Sequence, residues 1–273
     1  MTSAQDVGHA PAHPRTYPFP GDLNAAYLCV DQWVERGLGD RVAYYVGPGT
    51  YPVRVVTFAQ LQRRVVRFAN ALTSLGVDGG TTVGIFLQLT VELPIAMLAC
   101  ARLAVPHTVI VGDQLDELDH TVLVTQDEVV RDGRTWPRKA GVDEALARAG
   151  TQPRHVVVLR RSGARVPMRA GRDVYWHDLV AMVPDDPRSC PCRPQHSLPH
   201  PAPDPRCRYI PDAGWIVGPT DGICGPLAEG MASVLHEDVP ARPERDPWER
   251  VIHACGVNTL YAAPFGEPPS FRT

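Results

Sequence analysis

The chain has 273 residues, which is enough for one large domain or two smaller ones. Its formal net charge of -3 gives no electrostatic basis for binding nucleic acid or an anionic membrane, so we expect neither partner. Seven cysteines without a basic and apolar secretory leader indicate reduced thiols in a cytoplasmic protein.

A β-hairpin and an amphipathic helix are predicted first along the chain. Residues 42–46 and 53–56 are valine-rich and flank the turn sequence GPGTYP, as in a hairpin with a longer loop. Thr57 and Gln60 then form a capping box, and Gly76 ends the helix. The helix places on one stripe the apolar residues Phe58, Leu61, Val65, Phe68, Leu72 and Leu75.

The next segment predicts a parallel βαβ unit. Residues 83–87 and 108–111 form its strands, and Thr90 opens the helix between them. The apolar run over residues 83–111 contains Glu92, Arg102 and two prolines, which favours a buried helix over a membrane span. Only nine residues lie between Val111 and Thr121, ahead of the strand at 123–127, so either its crossover helix is truncated or this strand is misplaced.

Proline divides the remaining chain. Eight of the 28 prolines lie in residues 184–208, which therefore cannot form a helix or a central strand. We predict an α/β subdomain with βαβ units over residues 1–183 and an exposed, disordered linker at 184–208. Residues 209–273 form a partial second βαβ subdomain with a short helix from Gly225, a strand at 232–235 left with an unpaired edge, a helix at 246–255 and a strand at 258–261.

Several segments together resemble one enzyme family. Residues 212–226, DAGWIVGPTDGICGP, with Leu227 and Gly230, resemble the block DxGWxxGxxxxxxGPLxxG of AMP-forming acetyl-CoA synthetases, which are adenylate-forming enzymes. Further matches, in family order, are Leu23-Asn24, Cys29-Val30-Asp31, residues 96–102 and 142–146, Gly171-Arg172-Asp173, residues 176–179 and LYAAP at 260–264. The resemblance implies an α/β fold with a mostly parallel sheet and flanking helices, like the N-terminal part of an adenylate-forming domain. It also implies descent from enzymes that convert acetate, ATP and coenzyme A to acetyl-CoA, AMP and pyrophosphate and that use magnesium as a cofactor.

The resemblance also supplies candidate site residues. Arg131-Asp132-Gly133-Arg134 repeats the RxGR element that contacts coenzyme A in these enzymes, and two guanidinium groups can hold phosphate bidentately. The alternative is two solvated loop arginines. The resemblance places Val217 at the acyl and coenzyme A pocket, where valine replaces the usual threonine and removes its hydroxyl. Ile216 beside it is either a wall of the acyl pocket or a core residue.

The family's phosphate-binding loop has no counterpart in this sequence. In its place, residues 184–208 contain no cluster of Ser, Thr and Gly and no lysine. The family match also stops after Pro264. We therefore expect the polypeptide to be unable to adenylate acetate alone, and we expect no catalytic residue in it. The alternatives are a non-catalytic remnant that binds coenzyme A or pairs with a full-length homologue, and a degenerate product that does not fold.

One cluster is not explained by the resemblance. Cysteine and histidine at CxC and HxxxH spacings could bind zinc, but intervening prolines favour an unstructured cluster, so we predict no metal site. Its members are Cys190, Cys192, His196, His200 and Cys207.

Overall fold

A computed structural model describes residues 24–47, 54–110, 120–131, 134–193 and 223–236. The predicted α/β fold is confirmed. Five parallel strands form the main sheet in the order β4-β3-β5-β8-β9. They are β3 (Val83–Ile85), β4 (His107–Val109), β5 (Val122–Gln126), β8 (His155–Leu159) and β9 (Asp173–Tyr175).

A second sheet joins the beginning of the described chain to its end. Strand β1 (Val42–Gly47) pairs antiparallel with β2 (Arg54–Thr57), which confirms the predicted hairpin. On its other side β1 pairs in parallel with β10 (Ser233–His236). Strand β10 ends the order β10-β1-β2, so within the described residues its other edge has no partner strand, and the expected unpaired edge stays a prediction.

Helices cover both faces of the main sheet. Helix α2 (Phe58–Ser74) has the predicted capping box of Thr57 and Gln60, and Gly76 follows it with φ +79°. With α3 (Glu92–Arg102) and α5 (Trp176–Ala181) it covers one face, where the ring of Phe68 stacks on Trp176 at a centroid distance of 3.6 Å. Helix α4 (Arg138–Ala149) covers the other face.

The remaining elements are short. A π-helical turn (Tyr27–Asp31) leads into α1 (Gln32–Glu35), strands β6 (Val129–Arg131) and β7 (Arg134–Trp136) form a separate hairpin, a 3-10 turn spans Pro187–Ser189, and α6 spans Gly225–Ala228. No helix in the described ranges combines the length and apolar character needed to cross a membrane.

The predicted βαβ unit is confirmed, with α3 beginning at Glu92, two residues after Thr90. The strand after the short crossover is not misplaced, because β5 pairs in parallel with β3 and with β8. Residues 111–119, where a shortened helix was the other alternative, lie outside the described residues.

The start of the proline-rich segment packs against the first helices, which corrects part of the linker prediction. Cys190 is only 7% exposed, and its carbonyl oxygen accepts a hydrogen bond from Arg102. The amide of Asn24 donates to the carbonyl oxygen of Arg193 at 2.9 Å. The local composition indicated disorder because it could not show that these two carbonyl oxygens accept hydrogen bonds from buried side chains more than 80 residues earlier in the chain. Residues 194–208 lie outside the description, and the division into three domains stays a prediction.

The glycine of the family block is placed where its lack of a side chain matters. Gly230 follows α6 with φ +68°, and an added Cβ would lie 3.1 Å from the ring of Trp33. The indole nitrogen of Trp33 donates to the carbonyl oxygen of Leu227 at 2.7 Å. Leu227 and Gly230, recognised from the sequence alone, therefore both contact the side chain of Trp33.

Candidate functional site

The RxGR element lies on the hairpin formed by β6 and β7. The strands pair antiparallel, and the register places Arg131 directly opposite Arg134. Directly opposed residues of such a pair have Cα atoms about 4.5 to 5.5 Å apart. The two arginine positions are thus neighbours across a two-residue connection, in a hairpin where the sequence predicted a loop. Asp132 and Gly133 lie outside the described residues.

Two glutamine side chains fix this hairpin to the carboxyl end of the main sheet. Gln88, just after β3, donates from its side chain to the carbonyl oxygen of Val130 at 2.6 Å and accepts from the Val130 backbone nitrogen at 3.0 Å. Gln126, the last residue of β5, donates to the side-chain oxygen of Gln88 at 3.0 Å and to the carbonyl oxygen of Glu128 at 2.6 Å. This pair acts as a clamp, because the hairpin backbone is bonded on both sides of Val129.

The carboxylate of Asp127 holds the adjoining loop. One oxygen accepts from the backbone nitrogens of Glu128 and Arg161, each at 2.8 Å, and from that of Ser162 at 3.3 Å. The other accepts from the backbone nitrogen of Gly163 at 2.9 Å and from the Ser162 hydroxyl at 3.2 Å. Burial raises the pKa of this carboxyl, but the backbone donors outweigh burial and hold the pKa below its ordinary value. Asp127 is therefore an ionised structural anchor.

Arg134 is the exposed cation of the hairpin. Its side chain is exposed, and in the described part of the chain no carboxylate pairs with it. An unpaired guanidinium keeps all its donors available for an anionic ligand. This property distinguishes it from the buried arginines of the fold.

Arg102 belongs to that buried set. Its guanidinium contacts Asp31 at 2.7 Å, and the other oxygen of Asp31 accepts from Gln62 at 2.6 Å. Both charged residues come from segments that resemble the family. The pair joins the π-helical turn to α3 and serves the fold, since both partners are almost wholly buried.

A second charged cluster joins α4 to the segment resembling Gly171-Arg172-Asp173. Lys139 is fully buried, and its ammonium lies 2.6 Å from Asp143 and 2.9 Å from Asp173. Arg172 contacts the same carboxylates at 2.7 and 2.5 Å. Two cations thus balance two anions. An open cavity of about 320 Å³ beside the cluster is lined by Asp143, Arg169 and Arg172, but these charges already have partners.

Several predicted site residues cannot be placed. Ile216 and Val217 of the acyl pocket lie outside the described residues, as do three members of the cysteine and histidine cluster, His196, His200 and Cys207. Cys190 and Cys192 are free thiols. Among the described residues no three side chains of His, Cys, Asp or Glu gather as metal ligands.

Sequence reasoning missed the supports of the hairpin. Asp127 carried a signal, since it follows a strand with a family-like ending. The glutamines carried none, because a single Gln after a strand is a common surface residue and only the sheet order brings positions 88 and 126 together. Lys139 was also missed. Lysine is almost never fully buried unless it is paired, and the sequence did not show that Lys139 meets Asp173.

Comparison with known proteins agrees with the resemblance. The model of the family described as AMP-binding enzyme matches residues 30–195. Acetyl-coenzyme A synthetases from Rubrobacter xylanophilus and Mycobacterium tuberculosis are each 34% identical over 89% of this chain and 44% of their own length. The acetyl-coenzyme A synthetase of Burkholderia mallei is 35% identical over 89% of this chain and 43% of its own length.

The chain thus spans less than half the length of these curated relatives. The family match covers more than half of the chain itself, including every strand of the five-stranded sheet. The chain belongs to the AMP-binding enzyme family and is acetyl-CoA synthetase-like.

Proposed function

We propose that this polypeptide keeps the coenzyme A-contacting hairpin of an acetyl-CoA synthetase but does not adenylate acetate by itself. The family reaction has two steps. Acetate attacks the α-phosphorus of ATP, which releases pyrophosphate and forms acetyl-AMP. The thiol of coenzyme A then attacks the acetyl carbonyl, and AMP leaves.

The observation that carries the proposal is the interval at residues 184–208. The leaving pyrophosphate needs positioned donors and cations around its charge. The sequence there supplies no lysine and no Ser, Thr and Gly cluster. Several of its first ten residues make structural contacts, such as the ion pair of Asp185 with Arg67 at 2.6 Å.

The alignment with relatives supports an internal loss. The similarity to the Rubrobacter protein extends over 289 residues, whereas 89% of this 273-residue chain is about 243 residues. The difference, about 46 positions, has no residue of this chain opposite it. The proposal therefore does not depend on where the chain ends.

The coenzyme A contact is the part of the proposal that rests on the hairpin. Arg134 is exposed and unpaired within the described residues, and the glutamine clamp fixes the backbone next to it. A site fixed before binding loses less entropy when the ligand arrives. We propose that Arg131 and Arg134 bind phosphate of coenzyme A, with Asp132 and Gly133 forming the connection between them.

Calorimetry tests this contact. One charge-assisted contact is worth about 1.5 to 3 kcal/mol, so Arg131→Ala with Arg134→Ala should weaken coenzyme A binding more than tenfold. Arg63→Ala with Arg64→Ala is the matched control, because both arginines are exposed on α2, far along the chain from the hairpin. Affinity of the hairpin double variant within twofold of wild type would end the proposed role of the RxGR element.

A thermal melt addresses the degenerate-product alternative. We expect a cooperative transition, because helices α2 to α5 and the main sheet enclose apolar residues on both faces. A sloping, non-cooperative melt would favour a chain that does not fold. Cytoplasmic location and pairing with a full-length homologue remain proposals of the sequence.

A further inference from the structure

We infer that Trp136 is a stacking platform for the purine ring of the coenzyme A nucleotide. The inference rests on the proposed function and adds a residue that the family resemblance did not supply. Trp136 ends β7, two residues after Arg134. Residues two apart on a strand lie on the same face, so an exposed cation and an exposed aromatic ring share one side of the hairpin.

The exposure of Trp136 sets it apart. Its side chain is 56% exposed, and it is the one aromatic among the large hydrophobic residues exposed in the described ranges. Its cross-strand partner Val129, in contrast, is buried. Burying an indole is normally favourable, because aromatic side chains bring a large apolar area out of water. A ring left open beside an unpaired guanidinium is therefore suited to a ligand that is both flat and anionic.

The backbone under the ring is fixed. The β6 and β7 ladder bonds one side of the hairpin, and Gln88 holds Val130 in the adjacent strand. Pro137 follows directly with φ -74°, and α4 begins at Arg138. The proline ring limits backbone rotation at that point. The backbone at Trp136 is thus held by the pairing of β6 with β7 on one side and by α4 on the other.

The chemistry selects one half of coenzyme A. Every nucleobase has a flat face that stacks on tryptophan, and the adenosine of coenzyme A carries phosphates on its ribose that an arginine can bind. The pantetheine half has no ring. We therefore place the adenine on Trp136 and phosphate on Arg134.

The experiment separates the two halves of the ligand. The 273-residue wild-type chain and its Trp136→Ala variant are titrated with adenosine 3′,5′-bisphosphate and with 4′-phosphopantetheine. Removing a stacking ring weakens base binding by roughly fivefold to 150-fold. We expect at least a fivefold loss for the bisphosphate and a change within twofold for 4′-phosphopantetheine, which lacks a base.

Two further variants give controls. Trp136→Phe keeps an aromatic face and should restore bisphosphate binding to within about threefold of wild type, as expected when stacking tolerates different rings. Met182→Ala removes another side chain, 73% exposed, from a different element and should change nothing. Equal melting temperatures for the variants show that the fold is retained.

The outcomes also separate this inference from the proposed function. Bisphosphate affinity within twofold of wild type in Trp136→Ala overturns the stacking role, even where the arginine double variant loses coenzyme A. A loss in Trp136→Ala that Phe does not restore overturns it too, as does the absence of saturable bisphosphate binding by wild type. Loss in Trp136→Ala with no effect of the arginine variant supports stacking and refutes the arginine contact.

Discussion

Replacing Asp127 with asparagine tests whether this carboxylate anchors the loop beside the hairpin. The change keeps the shape but places an amide NH2 group opposite the backbone nitrogen of Gly163, which now donates to a carboxylate oxygen at 2.9 Å. A hydrogen bond to a charged group contributes about 1.5 to 3 kcal/mol, and a stranded buried donor costs about 1 to 3 kcal/mol. The two effects overlap, so we expect the free energy of unfolding to fall by about 2 to 4 kcal/mol.

Urea denaturation measures the loss. With an m-value near 3 kcal/mol/M, the midpoint should fall by about 1 M. Asp186→Asn is the matched control, because that exposed carboxylate accepts only the local backbone bond from Arg188, and its midpoint should move by less than about 0.3 M. A comparable small shift in Asp127→Asn would refute the anchoring role.

The pH dependence gives the same test a second readout. The pKa of Asp127 is lower in the folded chain than its ordinary value of 3.8. Its stabilisation is therefore fully present above the unfolded pKa and is lost as the pH falls through the folded pKa. The stability difference between wild type and Asp127→Asn should be largest above about pH 5 and shrink on acidification below pH 4. A difference independent of pH would contradict an ionised anchor.

Three further predictions concern the fold. Arg102→Met should lower the free energy of unfolding by about 3 to 5 kcal/mol because it leaves Asp31 charged and buried, whereas Arg102→Met with Asp31→Leu should cost less; equal losses in urea denaturation would show that the charges are not coupled. Thr57→Ala should lower stability by about 1 kcal/mol through loss of the capping bond to the Gln60 nitrogen, and an unchanged melting temperature would contradict that role. Burial raises the pKa of the Cys100 thiol and, together with Asp31, raises that of the partly buried Cys192 to about 12, so peptides containing either cysteine should stay unlabelled by iodoacetamide at pH 8 until urea is added; labelling in the native state, seen by mass spectrometry, would contradict the raised pKa.

The sequence was sufficient where structure depends on neighbours along the chain. The apolar stripe, the capping box and Gly76 define α2 within 20 residues, and α2 begins and ends close to the predicted positions. The hairpin of β1 and β2 was predictable for the same reason. Each signal is local, so no knowledge of the sheet order was needed.

The sequence was insufficient where distant segments meet. Strand β10 pairs with β1 across almost 190 residues, and its own valine and leucine do not indicate which edge it joins. The carbonyl oxygen of the buried Cys190 accepts a hydrogen bond from Arg102, which lies 88 residues earlier. The proline content of residues 184–208 gave no sign of these long-range contacts.

The candidate site was predicted in part for similar reasons. The family resemblance located the RxGR element, and alternation along a three-residue strand could not show that Trp136 is exposed. The clamp of Gln88 and Gln126 arises because parallel strands β3 and β5 end side by side. Such supports become visible only when the strand order is known.

Acetate-dependent exchange of labelled pyrophosphate into ATP tests the central proposal most directly. The assay uses the purified 273-residue chain, a heat-killed sample as background and a full-length acetyl-CoA synthetase as positive control. The sequence at residues 184–208 has no lysine and no cluster of Ser, Thr and Gly that could hold pyrophosphate, so we predict exchange equal to the heat-killed background at any acetate concentration. Acetate-dependent exchange above that background would show that the chain forms acetyl-AMP and would contradict the account.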